Sequence, residues 1–103
     1  MGVTHIVGFK YKDSVSPELR KEIAHRLLAL GDSSGVIQNV RGGRVVDLEM
    51  KAKGFHQVFV LKFNRWEDLQ FYQQFDHSHN DFKALVEDLA AEVQVWDFED
   101  FEF

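Results

Sequence analysis

The sequence predicts an α+β fold in which an antiparallel four-stranded sheet carries helices on one face. Three features carry this prediction. Residues 3–11, 36–48, 55–63 and 92–98 are rich in Val, Ile, Phe and other strand formers and read as extended segments. Between them, Leu19, Ile23, Leu27 and Leu30, and later Phe82, Leu85, Val86 and Leu89, recur at helical spacing. The order is strand, helix, strand, strand, helix pair, strand, which is the split β-α-β-β-α-β arrangement.

The first strand, 3–11, places His5, Val7, Phe9 and Tyr11 on one face and Thr4, Ile6, Gly8 and Lys10 on the other. Ser16-Pro17-Glu18 starts the first helix: Ser caps, Pro suits the first helical position, and Glu complements the dipole. Gly31 is the expected stop of that helix. The second strand is expected over 36–48, with a bulge at Gly42-Gly43, and a polar loop over 49–54. In the third strand Phe59, Leu61 and Phe63 share one face and Val58 and Val60 the other. A sheet with helices on one side ordinarily wets the other side. The second apolar face is therefore expected to be covered by a second copy of the chain. Asn64-Arg65-Trp66-Glu67 reads as a capping box opening a short helix with Trp66, Leu69 and Tyr72 on one side. Ser78-His79-Asn80-Asp81 reads as a cap for the longer helix that follows. The last strand, 92–98, leads into a tail in which acids alternate with Phe. The expected topology is ferredoxin-like.

Length and composition narrow the function. A chain of 103 residues is expected to form one domain, 1–103. Ten Phe and two Trp are many for a core of this size and point to a second buried surface. A net charge of −5 argues against a nucleic-acid partner or an anionic membrane. The lack of cysteine excludes disulfides, thiolate catalysis and Cys-based zinc sites. No run approaches the roughly 20 apolar residues of a membrane span. Met1-Gly2-Val3-Thr4-His5-Ile6 has neither the basic region nor the apolar run of a signal peptide, and Ile6 stands where a myristoylation signal wants Ser or Thr. The expectation is a cytoplasmic protein without a membrane partner.

Candidate chemistry gathers between the last two helical patterns, in Tyr72-Gln73-Gln74-Phe75-Asp76-His77-Ser78-His79-Asn80-Asp81-Phe82. His79 suits proton transfer near neutral pH, and a helix N-terminus disfavours its cation. Its structural alternative is a histidine that helps the helix start. Tyr72 can hydrogen-bond a substrate carbonyl, or serve only as a packed amphipathic side chain. His5 lies among apolar strand residues, as a core group or as part of a pocket wall. His77 and His79, two apart on a helix, do not share a face, so no metal site is expected from them. His25 and His56 read as surface residues. Gly42-Gly43 lacks the Lys-Ser/Thr of a phosphate loop.

Taken in order, three segments resemble the stress-responsive dimeric α/β-barrel (Dabb) family: Val3-Thr4-His5-Ile6-Val7-Gly8-Phe9-Lys10-Tyr11-Lys12-Asp13; Gly54-Phe55 leading into the strand that ends at Phe63; and Tyr72 followed by His79 and Phe82. The closing Val95-Trp96-Asp97-Phe98 is similar to the family's final strand. The resemblance implies a homodimer whose two sheets pack into a barrel. Its members include plant stress proteins and polyketide cyclases of the olivetolic acid cyclase type, in which a Tyr and a His perform an aldol cyclisation without a cofactor. Carried over, these are Tyr72 and His79, with His5 lining the pocket. Leu27, Phe59, Trp66 and Phe82 are expected as its apolar wall. The chain departs from the cyclases at Asp76-His77, where they have His-Pro, at Gln57, where the family often has His, and at Gly42, near a frequent Trp.

Two functions follow as expectations. One is a cofactor-independent enzyme on a hydrophobic polyketide-like or phenolic carbonyl substrate, closing a ring or, as a variant, oxidising a phenol. The other is a non-catalytic, dimeric stress-responsive protein that binds a small molecule or is purely structural. An enzyme requires a cavity on which His79, Tyr72 and His5 converge. A structural protein requires that space to be filled by side chains such as Phe82 and Trp66.

Overall fold

The computed structural model describes residues 2–103 and every side chain among them except that of Ser78. The chain runs β1 (Val3–Tyr11), α1 (Pro17–Ser33), β2 (Ile37–Arg44), β3 (Gln57–Phe63), α2 (Trp66–Gln74), α3 (His77–Leu89) and β4 (Ala90–Glu99). The strands form one antiparallel sheet in the order β2-β3-β1-β4. The architecture is ferredoxin-like, with the second helical unit divided into α2 and α3.

β1 lies between β3 and β4, so both its edges are paired. Its register sets Val7 beside Phe59 on one side and Val95 on the other, and His5 beside Leu61 and Asp97. Strand periodicity then turns Val3, His5, Val7, Phe9 and Tyr11 toward the helices, and all are buried. Ile23 and Leu27 of α1, Phe59, Leu61 and Phe63 of β3, and Leu69 of α2 complete the centre of the core.

α1 starts as the sequence predicts: the Ser16 hydroxyl accepts the N–H of Leu19 at 3.1 Å and Pro17 is the first helical residue. It does not stop at Gly31 but continues to Ser33. Gly31 instead permits close packing, since a Cβ there would lie 2.9 Å from Val40 Cγ2. β2 is shorter than the predicted 36–48, and its irregularity falls between Ile37 and Asn39, not at Gly42-Gly43. Gly42 and Gly43 pair regularly with Phe59 and Val58. Beyond Arg44 the chain leaves the sheet, because the Asp47 carboxylate accepts the N–H groups of Lys51 (2.8 Å) and Ala52 (3.1 Å) and closes a loop.

Two predicted caps are displaced. The residue before α2 is Arg65, not Asn64, and its side chain reaches forward to Asp68 at 3.2 Å instead of capping the backbone. α3 begins at His77, so the expected cap at Ser78 already lies inside the helix; the Asn80 N–H bonds the Asp76 carbonyl at 3.1 Å. His56, expected at the surface, is half-buried. Its Nδ1 accepts the Tyr11 N–H at 3.1 Å and its own N–H donates to the Phe9 carbonyl at 2.8 Å, which extends the β1–β3 pairing past its last register pair.

The sheet face turned away from the helices is apolar too. Ile6, Val58 and Val60 are half-buried there, and Trp96 and Phe98 of β4 are 55% and 44% exposed. At one end of this face the Thr4 hydroxyl donates to Asp100 at 2.6 Å, and Lys62 donates to Thr4 at 2.8 Å and pairs with Asp100. Among the described residues no helix is long and apolar enough to cross a membrane.

Candidate active site

The helices stop short of β4, whose inward-turned Val93 and Val95 remain 48% and 44% exposed. Between this uncovered strip and α3 lies a cavity of about 450 Å³. Val7, Phe9, Leu27, Phe82 and Val86 give it an apolar wall, and Lys83 and Glu87 of α3 are the charged residues that line it. His5, Tyr72 and His79 supply its other titratable groups. These three come from β1, α2 and α3, so the site is assembled by the fold and not by one loop.

Tyr72 is the centre of the group. Its ring centroid is 4.3 Å from that of His79 and 6.3 Å from that of His5. Helical spacing from Leu69 turns it inward, where Phe63 flanks it at 5.4 Å. Burial pushes its hydroxyl well above the usual phenol range, with the Asp76 carboxylate adding to the effect. The hydroxyl therefore stays protonated at neutral pH and acts as a donor.

His79 is half-buried in the first turn of α3. Burial, followed by His5 and Lys83, pushes its imidazole below the ordinary range, against the opposing Asp76. Its Nδ1 is buried and has no hydrogen-bond partner among the described residues. A neutral imidazole with an unengaged nitrogen is equipped to take a proton.

His5 is oriented by a residue that the sequence reading passed over. Its Nδ1 donates to Asp97 Oδ1 across the β1–β4 pair, because a carboxylate can only accept. Gln73 of α2 donates to the other Asp97 oxygen at 3.4 Å. This bond fixes the orientation of the ring and a proton on Nδ1, so that Nε2 is the acceptor whenever the imidazole is neutral. The signal for Asp97 was available in parity: on β4 it falls on the same row as Val93 and Val95, and an acid on a helix-facing row needs a partner there.

Of the expected wall residues, Leu27 and Phe82 line the cavity, while Phe59 and Trp66 do not. Phe59 is fully buried behind Phe9, with ring centroids 5.9 Å apart, and belongs to the core and a different hollow. Trp66 is the first residue of α2 and is 43% exposed, because the buried face of that short helix starts at Leu69. Gln57 also stays out of the cavity: it accepts the Tyr11 hydroxyl at 2.7 Å and donates to the Arg20 carbonyl at 3.0 Å. His77 is exposed, and among the described residues no group of His, Cys, Asp or Glu is placed to hold a metal ion.

The family model for the stress responsive A/B barrel domain, Dabb, matches residues 3–100. The chain belongs to this family. Among solved structures, a protein of Arabidopsis thaliana superposes with a TM-score of 0.90 at 23% identity, covering 98% of this chain and 97% of that one. A hydroxynitrile lyase from Passiflora edulis superposes with a TM-score of 0.87 at 17% identity, covering 99% and 96%. A dimeric ferredoxin-like protein from Jannaschia gives a TM-score of 0.82 at 17% identity, covering 96% and 99%. At these identities the likeness concerns the fold. No curated protein matches the chain. Within the Dabb fold, this chain keeps the Tyr72, His79 and His5 of the sequence resemblance on one cavity.

Proposed function

We propose that this Dabb protein is a cofactor-independent enzyme that moves protons on a hydrophobic carbonyl substrate, with aldol-type ring closure as its reaction. The observation that carries the reading is the convergence of His79, Tyr72 and His5 on one otherwise mostly apolar cavity. His79, held neutral, removes a proton from the carbon next to the substrate carbonyl. The Tyr72 hydroxyl donates to the carbonyl oxygen and stabilises the enolate that forms. The carbanion attacks a second carbonyl of the same molecule, a C–C bond forms, and the new alkoxide takes back the proton from His79. No electrons are gained or lost, so proton carriers suffice. His5, set by Asp97, orients Tyr72 and the bound carbonyl. The apolar wall holds the chain of the substrate and excludes water, which strengthens each of these contacts.

The working unit of this reading is a single-domain chain in a homodimer whose partner covers the second apolar sheet face; the Jannaschia neighbour is dimeric. A cysteine-free chain suits the reducing cytoplasm. The hydroxynitrile lyase among the neighbours supports the view that this scaffold can carry lyase chemistry.

The test is carbon-acid exchange. An aryl alkyl ketone is incubated with the protein in D2O, and deuterium uptake beside the carbonyl is followed by NMR. The expected result is protein-dependent uptake that falls by about 10² to 10⁴ in His79→Ala. Binding of the ketone without any protein-dependent uptake would replace this reading by that of a small-molecule binder.

A further inference from the structure

A second hollow, of about 500 Å³, lies between α1 and the β2–β3 edge of the sheet. It shares no lining residue with the cavity of His79. Leu28, Val45, Phe55 and Phe59 give it an apolar lining. Its charged lining is of one sign, Arg20, Lys21 and Arg44; the imidazoles of His25 and His56 stand beside them, and no carboxylate lines it. In a chain with a net charge of −5, this segregation is a property of the place and not of the composition.

The cations here are also uncommitted. The ion pairs among the described residues join His5 to Asp97, Arg26 to Glu22, Lys62 to Asp100 and Arg65 to Asp68, and leave out Arg20, Lys21 and Arg44. Arg20 is half-buried and has no carboxylate partner among the described ion pairs. The resulting field reaches its neighbours. Burial, then Arg20 and Lys10, hold the His56 imidazole below its ordinary range, and Asp13 opposes them. A planar guanidinium in this setting is matched by a carboxylate or a phosphate, which it can hold through two parallel hydrogen bonds.

We propose that this hollow binds an amphipathic anion: a carboxylate or phosphate head held by Arg20 and Arg44, with a short alkyl or aryl chain laid on Leu28, Val45 and Phe55. Lys21 and His25 line the hollow from the same face of α1, and the Lys21 ammonium adds to the attraction for the head. The site is independent of the reaction proposed above.

Isothermal titration of the full chain with octyl phosphate, octanoate, octanol and inorganic phosphate tests it. At least one of the two amphipathic anions is expected to bind about tenfold or more tightly than octanol or inorganic phosphate. Which of them binds tells a phosphate site from a carboxylate site. Arg20→Gln combined with Arg44→Gln is expected to weaken that binding by about tenfold or more. Lys21→Glu, a charge reversal at an exposed helix position, is expected to weaken it without touching the core. Amide shifts are expected along α1 and around 42–45, and His79→Ala is expected to leave binding unchanged. Equal binding of octanol, unchanged affinity in Lys21→Glu, or shifts centred on Tyr72 and His79 would each overturn the proposal.

Discussion

Asp97 separates the two histidines of the cavity into different roles. His5 has its Nδ1 proton tied to a carboxylate, whereas His79 keeps a buried nitrogen without a partner among the described residues. Asp97→Asn retains the size of the side chain but can present an amide donor to Nδ1, which would favour the other tautomer of His5. The expected outcome is a loss of about tenfold or more in kcat on the ketone-exchange assay, with the dimer and its melting temperature close to those of the parent. His79 also sets the pH dependence. Its folded pKa lies below the ordinary value of about 6.5. The base form therefore survives to lower pH than in a free histidine, and activity should persist through the range where a free histidine protonates and fall only at lower pH. For stability the sign is opposite to that of a salt-bridged histidine. As pH drops through about 6.5, the unfolded chain takes up protons at His79 and His56 before the folded chain does, so stability falls. Melting temperatures measured from pH 7.5 down to 5.5 should decline, and the decline should flatten in a His79→Gln, His56→Gln double variant. That His5, Tyr72 and His79 line one cavity was expected from residue type, chain order and the family resemblance together. Asp97 was marked only by its parity with Val93 and Val95, and its partner appears only through the antiparallel register that sets it beside His5. Trp66 and Phe59 were misplaced for the same reason: which aromatic faces the cavity depends on where α2 begins and on how deep β3 lies in the core.

At the scale of elements, local signals were read well where the local energy is large. Ser16-Pro17-Glu18 opened α1 as expected, and the period-two and helical patterns located every strand and helix. Weaker signals gave way to packing. Gly31, Gly42 and Gly43 read as a stop and a bulge, yet Gly31 and Gly42 serve close approach. A Cβ on Gly42 would lie 2.3 Å from Phe59 Cδ1 and 2.8 Å from the Val58 carbonyl oxygen. The second contact is with backbone and cannot be relieved by a rotamer. Gly42→Ala should therefore destabilise the fold by about 1–3 kcal/mol in urea unfolding. The effect should appear at β2 without loss of the His79 cavity, which lies on the far side of β1 from it. Ser16→Ala should cost about 1 kcal/mol, because the Leu19 N–H loses its acceptor. An unchanged urea midpoint for either variant would contradict the role assigned to it.

For the whole molecule, the deciding fact is that both faces of the sheet are apolar. The helices cover one. On the other, Ile6, Val58 and Val60 form a continuous patch with Trp96 and Phe98, which are 55% and 44% exposed. An exposed patch of this kind marks an interaction surface, and a second copy of the chain supplies a matching one. At its end Lys62, Thr4 and Asp100 are tied to one another within the chain. The sequence already pointed to the second apolar face, through the two-sided strand at 55–63 and the excess of Phe, because counting apolar faces needs no tertiary detail. Trp96→Asp places a charge at the middle of β4 on this face, where it meets solvent in the monomer and an apolar surface in the dimer. The monomer fold should tolerate it, since Trp96 contributes nothing to the helix-side core. A concentration series by analytical ultracentrifugation should show a dimer for the parent chain and a folded monomer for Trp96→Asp. Val93 and Val95, which leave the His79 cavity open along the β4 edge, belong to the same strand. If the partner closes that edge, the Trp96→Asp monomer should lose ketone exchange while Tyr72, His79 and His5 all remain in place. A monomer that retained full exchange would show that each chain completes its own site.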